Sequence, residues 1–267
     1  MFARYNLTLD INQLDDCYET GNKIFSAHKN KLEKNLEPYL SVEGSLDASA
    51  IEDDWFPSID ANVFLSHSHK DEKLVISFAG FLFKNYGIKS FIDSTVWGYA
   101  NDLLKKIDNK YCLPEKKPGG GFSYSYDLRN QSTAHVFLML QGALAKMINK
   151  TECLMFVNTP NSLSYKDINE ENATGSPWIY SELLMADTFP PRNADYYHIM
   201  DSEMSNLLLE GYGPNIKYEV NLKEFRKITI NDIKTSANKV KEKNARKILN
   251  QIYFDTGFIK PLEIIGG

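Results

Sequence analysis

Cysteine is scarce in this chain and unpaired in its spacing. Three occur in 267 residues, Cys17, Cys112 and Cys153, far apart and with no CxxC pair. That argues against a secreted disulfide framework and for a reducing compartment. Long apolar runs are missing too. None approaches the roughly 20 residues a membrane-spanning helix needs. The start, Met1-Phe2-Ala3-Arg4-Tyr5-Asn6, leads into polar sequence, not into the apolar stretch of a signal peptide. The expectation is a cytoplasmic protein with no membrane partner. A net charge of −5 gives no global reason to expect nucleic acid as a partner. The glycine run Gly119-Gly120-Gly121 has no strand leading into it and no Lys-Ser/Thr behind it, so it is not a phosphate loop. No internal repeat is present.

What the chain does have is ordinary globular material, 43% hydrophobic and 24% charged, enough for one large domain with appendages. Six acids and no Lys or Arg lie between Glu43 and Asp60, and ten basic residues against four acids lie between Lys217 and Lys247. The basic stretch reads as the solvated face of a C-terminal helix. Leu14, Cys17, Ile24, Phe25, Leu32 and Leu36 make an apolar stripe that predicts helix over residues 10–40. Residues 41–60 form an acidic connector anchored by Trp55-Phe56-Pro57. Residues 1–60 are thus expected to be a helical N-terminal extension, and 61–260 the main domain.

The main domain opens on the apolar run Val63-Phe64-Leu65. A helix capped near Asp71 and closed by Gly87 follows, and then a second strand, Ile88–Ile92. Strand, helix and strand at this spacing make a βαβ unit with parallel strands. A loop from Ser94 to Tyr99, a short helix over 101–109, an insertion over 111–130 and a strong helix over Gln131–Asn149 come next. Cys153–Val157 is the third strand. A polar insertion at 161–175 precedes a helix that Ser176 caps, with Pro177 at its first position. Tyr197–Met200 is expected as a fourth strand. Ile216, Tyr218, Val220 and Leu222 alternate as a fifth, and Asn231 caps one final helix.

In an open parallel sheet, ligands bind beyond the carboxyl ends of the strands. Those ends are Ser66-His67-Ser68-His69, Asp93 to Trp97, and Asn158-Thr159-Pro160. Trp178 and Glu182 stand four apart on the helix that faces the same edge. A carboxylate beside an indole suits a sugar–base substrate, with a ring to stack on and a charge to stabilise a ribosyl cation. From spacing alone the plainer reading is a core tryptophan and a solvated glutamate.

The blocks Val63-Phe64-Leu65-Ser66-His67-Ser68, Phe91-Ile92-Asp93, Asn158-Thr159-Pro160-Asn161-Ser162 and Ser176-Pro177-Trp178-Ile179-Tyr180-Ser181-Glu182-Leu183 resemble, in kind and order, a bacterial TIR (Toll/interleukin-1 receptor) domain. The resemblance covers about residues 61–190. It implies an α/β, flavodoxin-like, five-stranded, mostly parallel sheet flanked by helices. It also implies cleavage of NAD+ at the nicotinamide–ribose bond, with NAD+ as substrate and no further cofactor or metal. Carried over, Glu182 is the catalytic residue. Trp178, Ser66, His67, His69, Phe91 and Asp93 line the substrate. The Asp93–Tyr99 loop, with Ser94, Val96, Trp97 and Tyr99, packs against a neighbouring copy, so the active form is a homo-oligomer. Relatives of this sort serve in Thoeris-type anti-phage defence, where a phage-derived trigger starts production of an ADP-ribose-derived signal. Ser68 and His69 stand where enzymatic relatives often carry Arg, which bears on how substrate is held.

Three other readings stay open. His67-x-His69-x-Asp71 resembles the start of a zinc hydrolase motif, although its final His is Glu72 here. A TIR domain can be a non-enzymatic adaptor. A nucleoside deoxyribosyltransferase-like enzyme shares the architecture and also uses a Glu.

Overall fold

The computed structural model describes residues 3–14, 17–29, 36–40, 45–165, 172–189, 218–242 and 244–259. The first half runs β1 (Ala3–Thr8), α1 (Tyr18–Lys29), α2 (Ala48–Trp55), β2 (Val63–Ser66), α3 (Glu72–Tyr86), β3 (Ser90–Ile92) and α4 (Ser94–Tyr111). The middle runs β4 (Glu115–Lys116), β5 (Phe122–Ser123), α5 (Tyr126–Lys150), β6 (Cys153–Val157), β7 (Ser164–Tyr165), β8 (Asn172–Thr174) and α6 (Pro177–Thr188). The last part holds β9 (Tyr218–Glu219), β10 (Arg226–Thr229), α7 (Ile230–Lys239) and α8 (Ala245–Asp255).

Five strands form one all-parallel sheet in the spatial order β3-β2-β6-β1-β10. The fold is α/β with helices on both faces, as a flavodoxin-like sheet requires. Alternate side chains of each strand feed the two faces. Phe64, Leu154 and Phe156 pack under α2, α4, α5 and α6. Val63, Leu65, Tyr5, Leu7 and Met155 pack under α1, α3, α7 and α8. β2 and β6 are buried along their whole length, which is why they read as unbroken apolar runs and not as alternation.

Several expectations hold in detail. Gly87 closes α3 with φ 68°, its N–H turning back to the last carbonyls of the helix, a conformation that glycine adopts without strain. Ser176 caps α6 through the Ile179 N–H, with Pro177 next in line. Trp55 and Phe56 are buried, so the connector is indeed pinned by its aromatics.

Other expectations are corrected. The N-terminal segment is no appendage: Ala3–Thr8 pairs with β6 on one side and β10 on the other. The slot beside β6 therefore belongs to the first strand of the chain, while Tyr197–Met200 lies outside the described residues. The fifth sheet strand is Arg226–Thr229, and Tyr218–Glu219 belongs to a small antiparallel sheet with β7 and β8. The helical stripe of residues 10–40 divides, since Leu14 and Cys17 enter one core and Leu36 the other. The 111–130 insertion contains the β4–β5 hairpin, and α5 begins before its expected start, at Tyr126. The C-terminal helix is two helices. Thr229 caps α7 in a reciprocal box with Asp232, and Asn244 caps α8. The stretch from Ser94 to Tyr99 is the first part of α4, because the Asp93 carboxylate accepts from the Ser94 N–H and starts the helix there.

Candidate functional site

From β2 the chain moves to β3 on one side, then returns across β2 to β6 on the other. The carboxyl ends of β2 and β6 therefore flank the topological switch point, where open α/β sheets bind ligands. Three elements deliver polar side chains there.

Helix α6 delivers Glu182. Its buried positions are Ile179, Glu182, Leu183 and Ala186, an i, i+3, i+4, i+7 stripe. Burying the three apolar members against the core carries the carboxyl with them, so Glu182 is 0% exposed. Ser66, the last residue of β2, donates its Oγ hydrogen to Glu182 Oε2 at 2.6 Å. The other oxygen, Oε1, meets no N–H or O–H donor among the described residues. Asp93, which follows β3, is near enough to act on Glu182 by charge and by hydrogen bonding. Burial first, and the Asp93 charge second, push the Glu182 carboxyl well above the usual carboxylate range. Two carboxyl groups in contact share a hydrogen bond only if one keeps a proton.

The residue after Ser66 completes the cluster. His67 is buried, and its Nδ1 lies 2.5 Å from Asp93 Oδ1. Burial alone would lower the imidazole, but the charge and the hydrogen bond of Asp93 outweigh it and raise it. Burial of both groups disfavours any net charge, so the imidazole and the two carboxyl groups bear on one another's protons more strongly than they would in water.

Ser66, His67, Asp93 and Glu182 are thus brought together, and other candidates are not. Phe91 is buried core, its ring 5.1 Å from Phe64. The His69 side chain is 83% exposed and turns to Glu72. Trp178 is half-buried, with its ring 5.3 Å from Phe137 of α5. Tyr99 is buried in the core beneath α4, so it is not presented to a neighbouring copy. The side chains of Val96 and Trp97 lie outside the described residues.

The zinc reading loses its geometry. His67 turns to Asp93, His69 to solvent, and Asp71 to a separate pair of donors, Thr159 Oγ1 at 2.5 Å and Asn161 Nδ2 at 2.7 Å. Among the described residues no three His, Cys, Asp or Glu side chains gather as a metal site. Asp71 was expected as a helix cap, but its side chain caps nothing and ties the loop after β2 to the loop after β6. The turn-forming run Thr159-Pro160-Asn161-Ser162 is the sequence signal for that tie.

No helix among the described residues is long and apolar enough to cross a membrane. Compared with protein-family models, curated proteins and solved structures, the chain matches none.

Proposed function

We propose that the protein cleaves the N-glycosidic bond of NAD+, with Glu182 as the catalytic carboxylate. The observation that supports this most is the seating of a carboxyl at the switch point, bonded to Ser66 and flanked by Asp93. The TIR-like order of the sequence blocks supplies the substrate class. In the proposed reaction the ribose–nitrogen bond breaks and its electron pair returns to the pyridine ring. Nicotinamide then leaves neutral and needs no general acid. An ionised Glu182 stabilises the ribosyl cation and takes the proton of the attacking water as the new C–O bond forms. With an internal acceptor the product is cyclic, and either product can serve as a nucleotide signal in anti-phage defence. Assembly into a homo-oligomer under a phage-derived trigger belongs to the same proposal.

One observation favours a second reading, a non-enzymatic assembly module. Glu182 is 0% exposed, so a substrate reaches it only if the surrounding loops part. A single experiment separates the two. Nicotinamide release from NAD+ is followed by mass spectrometry at high protein concentration, for the wild type and for Glu182→Gln. The enzyme reading expects release by the wild type and a loss of at least about 100-fold in the variant, the scale of removing one electrostatic stabiliser. No release from the wild type, with or without a phage lysate, favours the module. Release that survives Glu182→Gln removes Glu182 from catalysis.

A further inference from the structure

We propose that Asp93 and His67 are positioning residues that govern when the Glu182 carboxylate becomes available for chemistry. This rests on the reading of Glu182 as the catalytic residue. Neither residue needs to touch substrate; each acts through the next, His67 on Asp93 and Asp93 on Glu182.

The geometry builds the relay from three separate elements, the end of β2, the end of β3 and the buried face of α6. Ser66 holds one oxygen of Glu182 at 2.6 Å, so the carboxyl cannot rotate away from the sheet edge without losing that bond. Asp93 follows β3 directly and acts on the carboxyl by charge and by hydrogen bonding, and its own position is fixed by the Ser94 N–H at 2.9 Å and by His67 Nδ1 at 2.5 Å. His67, Asp93 and Glu182 are 3%, 3% and 0% exposed, so water does not screen them from one another. Glu72, in the first turn of α3, adds to Asp93 in favouring the charged imidazole.

The consequence is a proton exchange. In the closed site Glu182 holds a proton because burial and Asp93 both oppose a second negative charge. A cationic sugar–base substrate placed beside Glu182 supplies the missing positive charge. The O–H bond of the carboxyl then breaks, the proton passes to solvent, and the carboxylate is left facing the cation. A neutral substrate gives no such compensation. The relay therefore selects for a substrate whose leaving group carries positive charge.

The signs for the two positioning residues are opposite. Asp93→Asn removes the negative charge beside Glu182, so its carboxyl ionises at lower pH than in the wild type. His67→Asn leaves Asp93 without its counter-charge, so Glu182 ionises at higher pH. Two readouts are taken on the full chain. One is infrared titration of the protonated-carboxyl C=O band, assigned by its loss in Glu182→Gln. The other is the pH profile of nicotinamide release. The expected order of midpoints, in both, is Asp93→Asn below the wild type and His67→Asn above it. Identical band titrations in the three proteins overturn the proposal even if NAD+ is cleaved. Shifted bands with no nicotinamide release from any of the proteins overturn instead the catalytic reading on which it rests. Should a relay variant fail to fold, the imidazole of His67 is titrated by NMR in the wild type and in Glu182→Gln. There the proposal expects a second, smaller step in the His67 shifts of the wild type at the pH where the Glu182 band is lost, absent from the variant; no such step in the wild type, or the same step in Glu182→Gln, refutes the coupling.

Discussion

Glu182 bears on stability as well as on chemistry, and the two can be read apart. Its carboxyl holds a proton in the folded protein at pH values where the unfolded chain has already lost it. The folded state therefore binds more protons than the unfolded state from the ordinary carboxylate range upward, and stability falls as pH rises through that window. His67 works in the same direction. Its raised value contributes stability that is complete below the unfolded imidazole value and is lost as pH rises through the folded one. Glutamine in place of Glu182 imitates the protonated acid, accepting from Ser66 and offering an N–H to Asp93. Glu182→Gln is therefore expected to fold, and to gain stability over the wild type by a margin that widens from acid to alkaline pH, read by urea unfolding at a series of pH values. Glu182→Ala leaves a cavity and strips Ser66 of its acceptor, at a cost of roughly 2–4 kcal/mol. A Gln variant whose stability tracked the wild type at every pH would mean that Glu182 is ionised in the fold.

At the level of elements, legibility depended on how local the determining signal was. α3 and α6 were readable because their stops and starts are chemical and adjacent: Gly87 with φ 68° at one end, Ser176-Pro177 at the other. The burial of Glu182 is written in Ile179, Leu183 and Ala186, which share its face of α6. What was not readable depended on partners distant in sequence. Ala3–Thr8 is only six residues, and its pairing partners lie about residues 153–157 and 226–229. Asp71 reads as a cap in sequence because its partners, Thr159 and Asn161, are some ninety residues away. A close contact between helices is silent in sequence for the same reason. Gly21 of α1 and Gly80 of α3 let the two backbones touch, and a Cβ on Gly80 would stand 2.0 Å from the Cys17 carbonyl oxygen. Alanine at an exposed helix-interior glycine gains about 1 kcal/mol in helix propensity. Here the overlap is with backbone, which cannot rotate aside, so the helices must separate. Gly80→Ala is expected to lose about 3 kcal/mol net, the upper range for overpacking, seen as a lowered melting temperature. A gain in melting temperature would show that α1 is not held against α3 as described.

Over the whole molecule, the sheet depends on a strand from the segment that reads in sequence as a helical extension. β1 stands between β6 and β10, with Leu7 opposite both Val157 and Ile228. Ala3, Tyr5 and Leu7 are at most 1% exposed and belong to the core shared with α7 and α8. Without β1, β6 and β10 each lose a parallel partner, and the open edge of β6 would expose Leu154 and Phe156 backbone to pairing with other chains. On the opposite face from α7 and α8, Arg4 binds Asp187 and the Phe189 carbonyl, which fastens β1 to the far end of the helix that carries Glu182. The strand thus supports the candidate site from behind as well as completing the sheet. A chain beginning at residue 14 is expected to lose cooperative unfolding and to aggregate, and a chain beginning at residue 61 to do the same. Guanidinium unfolding followed by near-ultraviolet circular dichroism checks this, with the full chain as reference. A truncated protein that stayed monomeric and unfolded in one transition, with the slope of the full chain, would show that β1 is an accessory to the sheet and would restore the boundary at residue 60.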